Sequence, residues 1–196
     1  MRKRNVGILI FDGAEVLDFA GPFEVFAVTS EINDFGLFDV FTVSESLEPV
    51  SAVNGLSVNP DYDYTNCPQL DILILSGGSG TRELMQNQNT LDWISKVHQN
   101  TEITVSICSA ARLLAVLGLL HEQPYCTHHL VYDHLQELVP SGIPQKDKRF
   151  VNSGKIYTSG GISAGIDVSF HIVEKLYGTA IAEKTAAYME YARIIK

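Results

Sequence analysis

At 196 residues the chain has the length of one domain, enough to bury most of the surface that its unfolded form exposes. Its 14 Lys and Arg against 23 Asp and Glu leave a formal charge of −9, which argues against a nucleic-acid partner. No apolar run reaches the ~18 residues of a membrane span, and Arg2-Lys3-Arg4 leads into a strand rather than a secretory leader, so a cytoplasmic protein is expected.

The first element is Asn5 to Phe11, a nearly continuous apolar run of the kind buried on both faces of a parallel sheet. Asp12-Gly13 turns the chain, and Pro22 is placed to open a helix whose apolar face holds Phe23, Phe26 and Ala27. Asp18 lies just before that helix in apolar company, either capping backbone N–H groups or reserved for chemistry. Phe38 to Val43 reads as a second strand. Asn54-Gly55, between the alternating runs of Val50 to Val58, predicts a small hairpin appended to the main sheet.

Leu70 to Leu75 is another buried strand, and Ser76-Gly77-Gly78-Ser79-Gly80 follows it. Those glycines permit positive φ and bring backbone N–H groups close to a ligand; an ordinary βα turn would look the same. A helical zone begins at Leu84-Met85, and Leu91 to Val97 form an amphipathic helix with the one tryptophan, Trp93. After the Ile103–Ile107 strand comes a helical pattern from Ala110 to Leu120. Cys126 to His129 enters a helix from Leu130 to Val139. Arg149–Val151 and Lys155–Thr158 flank Asn152-Ser153-Gly154 as a hairpin, and helices follow from about Ala164 to Tyr177 and from about Ala180 to Tyr191.

Strands alternating with helices predict an α/β/α sandwich, three layers around a mostly parallel, flavodoxin-like sheet with a small β-hairpin extension. In such a sheet functional groups gather beyond the carboxyl ends of the strands. Asp18, Gly77-Gly78, Cys108-Ser109 and Gly160-Gly161 each follow a predicted strand, so four loops converge on one crevice.

Cys108 sits where the strand passes into the helix, followed by the small residues Ser109, Ala110 and Ala111. A sharp strand-to-helix turn lifts such a residue out of the sheet, as in the nucleophile elbow of α/β hydrolases. The positive end of the helix dipole would favour thiolate over thiol. A buried small hydrophobe is the competing reading, and the convergence of the four loops favours the nucleophile. Three cysteines (Cys67, Cys108 and Cys126) without metal-like spacing imply a reducing compartment and no metal.

Five segments carry a resemblance to a known family: Leu17 to Phe26, Ser76-Gly77-Gly78, Ile107 to Ala111, Thr127-His128 and Thr158 to Asp167. On these the chain resembles the ThiJ/PfpI superfamily, with the class I glutamine amidotransferase-like fold, across nearly its whole length. The first and last segments are similar to those of isocyanide hydratases and of the sensor domains of AraC-type regulators.

The resemblance implies Cys108 as nucleophile and Asp18 as its acidic partner, with a raised pKa. It implies the N–H groups of Gly78 and Ser109 as the charge-stabilising pocket, with Gly77, Gly161 and Ile162 around the substrate. His128 matches a family histidine, equally readable as structural. PfpI-type proteases have histidine where this chain has Ser109, which argues against peptidase activity. Arg112 departs from the pattern; it would bind a substrate carboxylate or phosphate, or else reach solvent or pair with an acid.

The activity implied is a cysteine-dependent lyase or hydratase of a small electrophile, isocyanide hydratase-like and without a cofactor, in a homodimer of single 1–196 domains. A redox or small-molecule sensor and a glyoxalase-type hydratase are the alternatives. Because the sequence ends at Lys196, a complete regulator with a helix-turn-helix region is not expected.

Overall fold

The computed structural model describes residues 2–193. In chain order the elements are β1 (Arg4–Leu9), α1 (Val16–Glu31), β2 (Phe38–Ser44), the two-residue strands β3 (Val50–Ser51), β4 (Ser57–Val58) and β5 (Tyr62–Asp63), β6 (Ile72–Leu75), α2 (Thr81–Leu84) and α3 (Gln88–Asn100). Then follow β7 (Ile103–Ile107), α4 (Ala111–Val116), β8 (Pro124–Tyr125), α5 (Tyr132–Leu138), β9 (Ile143–Pro144), β10 (Phe150–Ser153), β11 (Ile156–Ser159), α6 (Ala164–Tyr177) and α7 (Thr179–Tyr188).

Seven strands form the main sheet in the order β10-β11-β7-β6-β1-β2-β5. β10 runs antiparallel to β11; every other pairing is parallel. The central strands are the apolar runs of the sequence: all four residues of β6 and all five of β7 are buried, as parallel strands covered on both faces must be. α1, α6 and α7 pack against one another, and α4 packs with α2 and α5 as a second group. The chain leaves β1 toward β2 but leaves β6 toward β7, in the opposite direction. Right-handed crossovers therefore place the two helix groups on opposite faces, and the order reverses between β1 and β6. At that reversal the loops leaving the carboxyl ends splay apart and open a crevice.

Three elements differ from the sequence pattern in ways that bear on the site. α1 starts at Val16, and Pro22 lies inside the helix rather than at its first position. Asp18 therefore belongs to the first turn, and the capping position falls to Glu15, whose side chain caps nothing. The helix expected from Ala110 to Leu120 runs only from Ala111 to Val116. Gly118, at φ 73°, stops it: the Leu119 amide donates to the Leu114 carbonyl and the Gly118 amide to that of Ala115, a glycine C-cap that the leucine spacing concealed. The Asn54-Gly55 ribbon forms, with Val50 opposite Val58, as a separate two-stranded sheet. It is tied to the loop after β1 by the Gly13 amide on the Ser51 carbonyl and the Val53 amide on that of Ala14. β5 at the sheet edge and the β8–β9 pair are too short to leave a pattern in sequence.

Among the described residues no helix is long and apolar enough to cross a membrane.

Candidate active site

Cys108 has φ 56°, a left-handed conformation uncommon for a residue with a side chain, at the step from β7 into a turn of 3₁₀ helix over Cys108–Ala110. Its backbone is held on both sides. The Cys108 amide donates to the Gly160 carbonyl (3.2 Å), and the Thr127 hydroxyl donates to the Cys108 carbonyl (2.7 Å). Strain of this kind persists only where surrounding bonds fix it, and it points the side chain away from the sheet into the crevice. Cys108 is nonetheless 7% exposed.

Asp18 is fully buried in the first turn of α1. Its Oδ2 accepts the Gly77 amide at 3.0 Å, whereas its Oδ1 is buried with no hydrogen-bond partner among the described residues. Gly77 separates the two functional groups: a Cβ there would lie 2.6 Å from Asp18 Oδ2 and 2.7 Å from Cys108 Cβ. Only glycine allows carboxyl and cysteine to meet around this backbone.

Burial pushes the Asp18 carboxyl up to about 7; the Gly77 amide, the Cys108 side chain and the Ile162 amide oppose the rise, while the charge of Glu15 adds to it. Burial, and then the charge of Asp18, push the Cys108 thiol up to about 12, although the Ser109 and Ile162 amides favour its thiolate. The ionised sulfur expected from a helix dipole is therefore corrected. α4 has only six residues, and dehydration beside a carboxylate outweighs what so short a helix supplies. At rest the site holds a thiol next to a carboxyl that titrates in the neutral range.

The amides expected to stabilise charge are also rearranged. Gly78 N–H donates to Ser109 Oγ (2.8 Å), which in turn donates to the Gly78 carbonyl (3.0 Å). Gly77 N–H is taken by Asp18, so neither glycine amide faces the sulfur unpaired. The amides that favour a charged sulfur are those of Ser109, as expected, and of Ile162. Ile162 holds its amide there at φ 52°, a conformation costly for a β-branched residue, with its side chain 41% exposed. Gly161 has a plain steric reason: any Cβ would collide with the His128 ring.

His128 is half-buried, and its Nδ1 accepts the Leu130 amide at 3.3 Å. Burial and the neighbouring His129 keep its pKa low. Its ring closes one side of the crevice without touching the sulfur by any hydrogen bond found among the described residues.

Arg112 does neither of the ordinary things expected of it. It is 4% exposed, so it does not reach into solvent, and no carboxylate among the described residues pairs with it. Its Nη1 donates to Thr81 Oγ1 (3.0 Å) and its Nε to His134 Nδ1 (3.1 Å). Thr81, Thr127 and His134 escaped sequence reading. Thr81 and His134 lie 31 and 22 positions from Arg112, and no local spacing links them. Thr127 stood inside a recognised segment but without a role. Among the described residues no three His, Cys, Asp or Glu side chains are grouped as a metal site would require.

A strained cysteine elbow beside the reversal point of a parallel sheet, facing a buried acid from the first turn of α1, defines an α/β protein of the flavodoxin-like, cysteine-elbow class. The chain belongs to the DJ-1/PfpI family, whose sequence profile matches residues 4–175. It is 33% identical over 188 residues to an isonitrile hydratase of Pseudomonas putida, covering 96% of this chain and 78% of that protein. It is 22% identical to GbdR, a helix-turn-helix-type transcriptional regulator of Pseudomonas aeruginosa, covering 97% of this chain but only 52% of the regulator, about half its length. Among solved structures, a ThiJ/PfpI family protein from Pseudomonas syringae superposes with a TM-score of 0.88 at 26% identity, over 100% of this chain and 78% of that one.

Proposed function

We propose that the protein is a cysteine-dependent hydratase of a small electrophilic molecule, of the isonitrile hydratase kind. The observation that supports this most directly is a buried cysteine facing Asp18 across Gly77, with Asp18 Oδ1 buried and accepting no hydrogen bond among the described residues.

A carboxyl titrating near 7 is matched to moving a proton at neutral pH in both directions. Asp18 takes the proton from the Cys108 thiol as sulfur attacks the terminal carbon of R–N≡C, and then delivers it to that carbon, giving the thioimidate R–N=CH–S. Water adds to the thioimidate carbon with Asp18 accepting its proton and passing it to nitrogen. Collapse of the adduct breaks the C–S bond, releases R–NH–CHO and returns one proton to the Cys108–Asp18 pair. The amides of Ser109 and Ile162 favour the thiolate in both the attack and the release. The same pair suits hydration of a 2-oxoaldehyde, the nearest alternative within this chemistry. A homodimer in a cytoplasmic setting belongs to this proposal, and light scattering tests the dimer.

The test is a panel of isocyanides, 2-oxoaldehydes and amides against native and Cys108→Ala protein. Isocyanide turnover that disappears in Cys108→Ala is expected. Turnover retained by that variant, or no turnover of any isocyanide, overturns the reading. Selective, reversible peroxide oxidation of Cys108 in a protein without turnover would instead make it a sensor.

A further inference from the structure

The scheme above leaves Arg112 without a task, yet the fold leaves only 4% of it exposed. Each hydrogen-bond partner it has is neutral: the Thr81 hydroxyl and a ring nitrogen of His134 that must be unprotonated to accept. The guanidinium of Arg82 adds a like charge, and no carboxylate among the described residues forms an ion pair with Arg112. A buried cation without a counter-ion is costly, and a fold that keeps one is completed by an anion it does not itself carry.

Accessibility points the same way. Nη2 makes no hydrogen bond among the described residues, yet unlike Asp18 Oδ1 it is not shut off from solvent. Nε and Nη1 are anchored while Nη2 is open, so one edge of the planar group is held rigidly and presented. Cys108 and Arg112 are four residues apart across the step from β7 into α4, and the two groups interact electrostatically. A single buried unit charge matches a monoanion.

We infer that Arg112 anchors an anion subsite beside Cys108, and that the electrophile taken by this protein carries a carboxylate. The inference rests on the hydratase reading for its reactive carbon, but the subsite is testable without it.

Isocyanoacetate and its methyl ester differ in that charge and in one methyl group. The measurement is kcat/KM for both in native protein, Arg112→Met and Arg112→Lys. Native protein is expected to prefer the acid, and Arg112→Met to lower the acid-to-ester ratio tenfold to a hundredfold, the worth of a charge-assisted hydrogen bond. Arg112→Lys should recover part of it, because charge is kept and the planar fork is lost; it also serves should Arg112→Met not fold. An unchanged ratio overturns the inference. So does an equal loss for both substrates with a displaced pH profile, since the guanidinium would then act on sulfur rather than on ligand.

Should neither isocyanide react, the hydratase reading fails and binding decides the subsite. N-formylglycine titrated calorimetrically into Cys108→Ala should bind at least tenfold more tightly than into Cys108→Ala with Arg112→Met. Equal binding, or none to Cys108→Ala, overturns it.

Discussion

Two aspartates are buried at opposite ends of the same sheet and are treated differently. Asp71 precedes β6 at the amino ends of the strands, 8% exposed; its Oδ2 accepts the Asn5 amide at 2.9 Å and its Oδ1 accepts from Arg2. Around it the charges interlock. Arg2 and Arg4 both reach Glu102, and Arg4 continues to the Tyr177 hydroxyl, which donates to the Leu37 carbonyl. Asp18, at the carboxyl ends, keeps one oxygen without such a partner, and Arg112 in α4 pairs with no acid among the described residues. Where charge only has to be tolerated the fold pairs it; where it leaves a buried charge unpaired, it has kept that group for something else.

The comparison breaks most visibly at Asp18 itself. Asp18→Asn removes the proton carrier but keeps the shape, and should lower kcat by about 10²- to 10⁴-fold, the usual worth of general acid–base catalysis. In native protein kcat/KM should rise with pH through an acid limb near 7, because the carboxylate is the base that receives the thiol proton. That limb belongs to the coupled Cys108–Asp18 pair and should vanish in Asp18→Asn. Glu102→Gln at the other pole should leave both rate and profile as they were.

Stability should show the next largest effect. The folded carboxyl titrates near 7 rather than 3.8, so between roughly pH 4 and 7 the folded protein holds a proton that the unfolded chain has released. The raised pKa makes this contribution favourable at low pH and lost as pH climbs through the window. The whole span is on the order of 4 kcal/mol at 1.36 kcal/mol per unit. Urea unfolding from pH 4 to 8 measures it as native minus Asp18→Asn, which cancels the other titrating groups. A difference that does not change with pH would mean that burial does not hold a proton on Asp18.

Ser109→Ala sharpens the contrast by making an unpaired group on purpose. It strips the acceptor from the Gly78 amide and should cost about 1–3 kcal/mol, measured by chemical unfolding. A cost near zero would mean that water replaces the hydroxyl, and that the Ser109–Gly78–Thr81 bonding does not hold this loop.

The architecture was legible because buried parallel strands are written as unbroken apolar runs. The four loops predicted to converge do so for the same reason: strand order fixes where loops end up. Asp18 and Cys108 could be placed together on these grounds. Their ionisation could not be, since it depends on how much water the folded crevice excludes, and neither could the partners of Arg112. The Gly118 stop was missed because the leucines around it keep helical spacing past the point where the backbone turns. The long separations among Thr81, Arg112 and His134 are tertiary facts with no periodicity to betray them.

The smallest effect is expected in the outermost pair of the amino-end charges, Lys3 with Asp39. Their side chains are 39% and 54% exposed, so water screens the attraction and both remain solvated when it is broken. Asp39→Asn should change unfolding free energy by less than about 0.5 kcal/mol, and the difference should fade in about 1 M salt, where the screening length shrinks to roughly 3 Å. The substitution is chemically the same as Asp18→Asn, a carboxylate exchanged for an amide. Only the surroundings differ, and a change at Asp39 as large as that at Asp18 would show that dehydration is not what sets the buried acid apart.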